Sequence, residues 1–176
     1  METRNGPGRS EAVYGFTEET MTYSSKGNGM SEQTVLLVED NPDHAEIITR
    51  VLRKMMRNLN IRLASDGQQA LEILGLTQSA KPVEKIPTPK IILLDIRLPK
   101  IDGTEVLKII KASPALKKIP VIVLTTSERK EEVKKMYALG ANSYIVKPGK
   151  FEDFMGQLKK LRAYLEDYTI LGSEKK

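Results

Sequence analysis

The chain has 176 residues and a net charge of +5, with no cysteine and a single histidine, His44. This composition excludes disulfides, thiolate metal sites, a cysteine nucleophile and metal sites built from several histidines. Basic and acidic residues are mixed along the chain without a helix-turn-helix or finger pattern, so we expect no direct nucleic-acid binding. No apolar run approaches the roughly 18 residues of a membrane helix, and no signal peptide is visible. We therefore expect a cytoplasmic protein.

Residues 1–30 are rich in Gly, Ser, Thr and Asn and lack periodicity, which predicts a disordered N-terminal extension. Met30 is a candidate for the biological start. A single domain is predicted over 31–172, with no output domain after it. Residues 76–89 contain three prolines and predict a loop, long for an α/β connection.

Five apolar segments are predicted as strands: Thr34–Val38, Ile61–Ala64, Ile91–Asp95, Val121–Leu124 and Ser143–Val146. Helical periodicity follows each strand, at 42–57, 67–74, 104–112, 129–139 and 151–165. Asp40 or Asn41 is expected to cap the first helix and Thr104 the third, and Gly140 to end the fourth. Alternating strands and helices predict an α/β fold: a five-stranded parallel sheet with helices on both faces.

Asp95 is the central candidate for chemistry. The buried run Ile91–Leu94 leads directly into it, and ligands bind at the carboxyl ends of strands in such sheets. Three other predicted strands also end in reactive polar residues, and the topology brings all of them to one edge: Glu39, Asp40, Thr125 and Lys147.

The carboxylates at this edge predict a Mg²⁺ site, because an oxygen-only donor set without His or Cys favours that ion. Asp40 and Asp95 are expected to be direct ligands, and Glu39 a direct or water-mediated one. The carbonyl of Arg97 could complete the set. A carboxylate here can attack phosphorus, with Mg²⁺, Lys147 and Thr125 neutralising the phosphoryl oxygens.

These residues resemble the receiver domain of two-component response regulators, over about 31–168. The resemblance is carried by Leu36–Asp40, Leu93–Asp95, Leu98-Pro99, Asp102-Gly103, Leu124–Ser127 and Tyr144–Pro148. The loop at 76–89 and the Leu-Thr-Thr-Ser run are similar to stand-alone receivers that serve phytochrome-type sensor kinases. The family implies a flavodoxin-like sheet order of 2-1-3-4-5, the order the family's chemotaxis receiver is known for.

The resemblance also implies residue roles. Asp95 is the phosphoacceptor, and Glu39, Asp40, Asp95 and the Arg97 carbonyl bind Mg²⁺. Thr125 and Lys147 contact the phosphoryl group. Tyr144 is an aromatic switch that moves inward with Thr125, and the Lys147–Pro148 bond is cis. Arg97 and Ser127 occupy positions that tune dephosphorylation in the family.

The expected function is that of a single-domain response regulator. A sensor histidine kinase donates a phosphoryl group from phosphohistidine, and a conformational shift is read by an unknown partner or by homodimerisation. It is not a turnover enzyme. Alternatives are a phosphorelay intermediate, an unphosphorylated pseudo-receiver adaptor, and a phosphatase or flavin carrier on the same fold. A phosphatase of that kind normally has an Asp at position 97, and Glu39-Asp40 would repel a flavin phosphate.

Overall fold

The computed structural model describes residues 33–55, 59–77, 87–147 and 156. Five strands form one sheet: β1 Gln33–Val38, β2 Leu59–Ala64, β3 Ile91–Asp95, β4 Val121–Thr125 and β5 Ser143–Val146. Their order is β2-β1-β3-β4-β5, and every neighbouring pair is parallel. The predicted fold and sheet order are therefore confirmed.

Four helices connect these strands: α1 Pro42–Met55, α2 Gly67–Ile73, α3 Gly103–Ala112 and α4 Lys130–Ala138. Asn41 caps α1, because its Oδ1 accepts the backbone amides of Asp43 and His44 at 2.9 and 3.2 Å. Gly140 follows α4 with φ +94°, as the predicted helix end requires.

The predicted cap of α3 was wrong. Asp102, rather than Thr104, is the N-cap, and its carboxylate accepts the Thr104 amide at 2.8 Å. A carboxylate stabilises the positive end of a helix dipole better than a hydroxyl does. Thr104 is instead buried in the first turn of the helix.

Two apolar layers sandwich the sheet, and alternate residues of each central strand face opposite layers. Ile91 and Leu93 of β3 pack into the layer covered by α1. Ile92 and Leu94 pack into the layer that α2, α3 and α4 cover. All four side chains are almost fully buried. This explains why the β3 sequence is continuously apolar rather than alternating.

The start of α3 lies directly against the end of β3. A Cβ atom on Gly103 would lie 2.0 Å from the carbonyl oxygen of Asp95, so only glycine fits there. Lys100 precedes this contact with φ +63° and donates from Nζ to Asp66 Oδ2 at 2.7 Å. The loop between β3 and α3 is therefore held by an ion pair at Lys100 and by the close contact where it joins α3.

Several predictions fall outside the described residues. These are the N-terminal extension, most of the loop at 76–89, the cis bond before Pro148 and the closing helix at 151–165, of which only Gly156 is described, as helical. Over the described ranges, none of the helices has the length and apolar character needed to cross a membrane.

Candidate functional site

The carboxyl ends of the strands place the predicted site residues together. Glu39 directly follows β1, Asp95 and Thr125 end β3 and β4, and Lys147 directly follows β5. Glu39, Asp95 and Thr125 are all buried. The parallel register that pairs Asp95 with Leu124 and Thr125 with Val146 aligns these ends along one edge. Residues far apart in sequence thus form one polar cluster.

Lys147 is the cation at the centre of this cluster. Its Nζ donates to Glu39 Oε2 and to Asp95 Oδ2, the latter at 2.6 Å. The Lys147 side chain is only 7% exposed, and those of Glu39 and Asp95 are 0% and 9% exposed. Two buried carboxylates therefore share one buried ammonium group, which offsets much of their mutual repulsion.

Glu39 has a second partner that the sequence analysis did not predict. Its Oε1 lies 3.1 Å from Nδ1 of His44 in the first turn of α1. Burial raises the pKa of Glu39, and the hydrogen bond and charge of Lys147 offset this effect only in part. Asn41 and Pro42 determine where α1 begins. With this start, the His44 side chain lies next to Glu39 at the end of β1.

Asp40 completes a group of carboxylates that can hold a cation. One oxygen from each of Glu39, Asp40 and Asp95 lies within 4.8 Å of the others. Asp40 is exposed, so the cluster is open to solvent on that side. An oxygen-only donor set of this size, open on one side, fits Mg²⁺, which keeps several of its waters.

Thr125, Ser127 and Tyr144 form a polar group beside this cluster. The Tyr144 hydroxyl donates to the Ser127 carbonyl oxygen at 3.0 Å, and the Ser127 amide donates to Thr125 Oγ1 at 3.2 Å. Burial and the nearby charge of Glu132 raise the pKa of the Tyr144 phenol. The ring of Tyr144 packs against the apolar layer that α2, α3 and α4 cover. Tyr144 thus connects β5 to the loop after β4.

Arg97 links Asp95 to α4. Its backbone amide donates to Asp95 Oδ1 at 3.2 Å, while its guanidinium donates to Glu132 Oε1 on α4 at 3.1 Å. The role of the Arg97 carbonyl as a metal ligand stays a prediction. Glu132 was not predicted as a site residue, because 35 positions separate the two partners.

This geometry agrees with known proteins. A sequence profile of the response regulator receiver domain matches residues 35–159. The chain belongs to this family. It is 40% identical over 130 residues to the probable methanogenesis regulatory protein FilR2 of Methanothrix harundinacea, covering 74% of this chain and 81% of FilR2. It is 36% identical to response regulator Rcp1 of Synechocystis sp., covering 78% of this chain and 92% of Rcp1.

Solved structures of receivers agree with the fold and with the predicted subtype. The Mn²⁺-bound form of Rcp1 superposes with a TM-score of 0.68 at 35% identity, covering 75% of this chain and 93% of Rcp1. The phosphorylated cyanobacterial phytochrome response regulator RcpA superposes with a TM-score of 0.69 at 32% identity, covering 77% and 94%. The resemblance to stand-alone receivers of phytochrome systems is confirmed.

Proposed function

We propose that this receiver accepts a phosphoryl group on Asp95 from the phosphohistidine of a sensor histidine kinase. The observation that carries the proposal is the buried Lys147 ammonium, which bridges Glu39 and Asp95 at the strand ends. A lysine placed there can neutralise an anion that arrives at Asp95. The phosphorylated form of the similar RcpA supports the same chemistry.

The reaction is a direct displacement at phosphorus. A carboxylate oxygen of Asp95 forms the new O–P bond as the N–P bond of phosphohistidine breaks. The imidazole leaves with the electron pair of that bond and takes up a proton from solvent. The Lys147 ammonium and the Thr125 hydroxyl are placed to stabilise the phosphoryl oxygens. The protein promotes the phosphorylation and the later dephosphorylation of its own Asp95, so it acts as a self-modifying acceptor rather than a turnover enzyme.

Glu39, Asp40 and Asp95 are the residues that would hold Mg²⁺, with the Arg97 carbonyl as a further ligand. Their carboxylate oxygens are close enough to share one ion. When bound, the ion neutralises negative charge on the phosphoryl group. The Mn²⁺-bound form of the similar Rcp1 supports a divalent cation here. Lys147 also binds two of these carboxylates, Glu39 and Asp95.

Phosphorylation would act by shifting a conformational equilibrium. Thr125 and Tyr144 are the proposed switch residues, because the loop after β4 links them. A phosphoryl group that attracts Thr125 would change that loop and the start of α4 beyond it. Two packings that differ by a few kcal/mol suffice for such a response. The changed conformation would be recognised by a partner protein or by a second copy of this chain. We place the regulator in the cytoplasm, with one receiver domain over about 31–172.

Labelling by a small phosphodonor tests this proposal. Incubation with acetyl phosphate and Mg²⁺ should add one phosphoryl group, detected by intact mass spectrometry, and chelation with EDTA should abolish the gain. Asp95→Asn should remain unlabelled. Asp43→Asn, which removes an exposed carboxylate from α1, is the matched control and should label normally. Equal labelling of Asp95→Asn and wild type would refute the assignment.

A further inference from the structure

The ion pair between Arg97 and Glu132 joins the loop after Asp95 to α4. The guanidinium Nη2 donates to Glu132 Oε1 at 3.1 Å. The Arg97 side chain is 61% exposed, whereas that of Glu132 is only 22% exposed. The pair is therefore asymmetric: a largely buried carboxylate is held by a cation with room to move.

Glu132 depends on Arg97 more than an exposed acid would. Its second oxygen, Oε2, is buried and has no hydrogen-bond partner among the described residues. Its charge also reaches Tyr144, where it adds to the effect of burial on the phenol pKa. Glu132 thus lies close to both Arg97 and the proposed switch tyrosine. A buried carboxylate oxygen without a donor is costly, so losing Arg97 would favour a rearrangement at the start of α4.

Phosphorylation of Asp95 would offer Arg97 a second anionic partner. Its backbone amide is already bonded to Asp95 Oδ1 at 3.2 Å, so its side chain originates beside the phosphoacceptor. An aspartyl phosphate would present extra negative charge and several strong acceptor oxygens, which guanidinium groups bind well. One guanidinium then faces two acids, one permanent and one present only after phosphorylation.

We propose that Glu132 is a positioning residue that holds Arg97 on α4 and competes with the phosphoryl group on Asp95 for it. This inference rests on the proposed phosphorylation of Asp95. Transfer of the guanidinium to the phosphoryl group leaves Glu132 unpaired and loosens the first turn of α4. Arg97 thereby couples the phosphoacceptor to α4 by a route separate from Thr125 and Tyr144.

A double-mutant cycle tests the competition. Beryllofluoride with Mg²⁺ serves as the phosphoryl mimic, and amide NMR of the full chain follows the titration. Removing the competitor in Glu132→Gln should tighten the apparent affinity about two- to fivefold, the range expected for a partly exposed ion pair. Arg97→Met should weaken it. In the Arg97→Met background, Glu132→Gln should change nothing, because the contested cation is absent.

Glu131→Gln is the matched control, since it removes the same charge from the exposed neighbouring position and should leave the affinity unchanged. If Glu132→Gln tightens beryllofluoride binding equally with and without Arg97, a general electrostatic effect explains the result and the inference is overturned. The inference is also overturned if Glu132→Gln leaves the beryllofluoride affinity unchanged in both backgrounds. If wild type and Asp95→Asn both ignore beryllofluoride, the proposed function itself fails, and the inference fails with it. Hydrogen exchange at residues 130–134 should rise with beryllofluoride in wild type; unchanged exchange would also count against it.

Discussion

Lys147→Met is expected to destabilise the protein strongly in the presence of EDTA. The substitution keeps the side-chain length but leaves Glu39 and Asp95 buried without their shared cation. Removing one partner of a buried ion pair costs about 3–5 kcal/mol. For a domain of this size, that corresponds to a fall in Tm of about 10–15 °C.

Thermal and urea unfolding at neutral pH measure this loss. The deficit should narrow as the pH falls from neutral towards the ordinary pKa of a glutamate, because burial raises the pKa of Glu39 and its protonation relieves the repulsion. Mg²⁺ should restore part of the stability, by about 1.4 kcal/mol at ten times its Kd. Lys108→Met, which breaks an exposed pair with Glu105, is the control and should cost about 0.5 kcal/mol or less. If the two variants lose similar stability, the ammonium does not neutralise buried carboxylates.

Two further changes probe the surroundings of the site. Lys100→Met should lower the free energy of unfolding at neutral pH. Burial alone would raise the pKa of Asp66. The hydrogen bond and charge of Lys100, together with backbone amides, outweigh burial and hold this pKa below its usual range. The stability contributed by this ion pair is present above the unfolded-state pKa of Asp66, about 4, and is lost as the pH falls further. Unfolding free energies of variant and wild type, measured against pH, should therefore converge in acid. Parallel curves would contradict the pairing. Tyr144→Phe removes one hydrogen bond to a backbone carbonyl and should cost about 1 kcal/mol in urea unfolding, whereas no change would mean that water replaces the hydroxyl.

The sequence predicts most of the sheet because burial dictates its composition. Ile91–Leu94 is apolar at every position, as a strand covered on both faces must be, and the structure buries all four. The β2 strand was predicted too short, starting at Ile61 rather than Leu59, because Leu59 and Asn60 are only partly buried at a sheet edge. The order of the strands came from the family resemblance, since periodicity carries no information on which strands are neighbours.

The candidate site was predictable only where topology determines it. Parallel strands bring their carboxyl ends together, so Glu39, Asp95 and Lys147 could be expected to meet. The contacts of His44 and Glu132 depend on where each helix begins, which a sequence pattern does not locate to a single residue. A shift of one residue turns a side chain by about 100° around the helix axis. The Thr104 prediction failed for a similar reason, since two capping residues two positions apart compete for one helix start.

The contact of Gly103 with the Asp95 carbonyl limits which parts of the domain can be changed. No side chain can enter at 103, so the loop from 96 to 102 has a set length and a set path. Redesign for a new partner therefore has little freedom at the junction of β3 and α3. The exposed side of α4, which carries positions such as Tyr137, is not subject to this steric limit. A designer seeking altered partner recognition would mutate that side and leave Gly103 and its loop untouched.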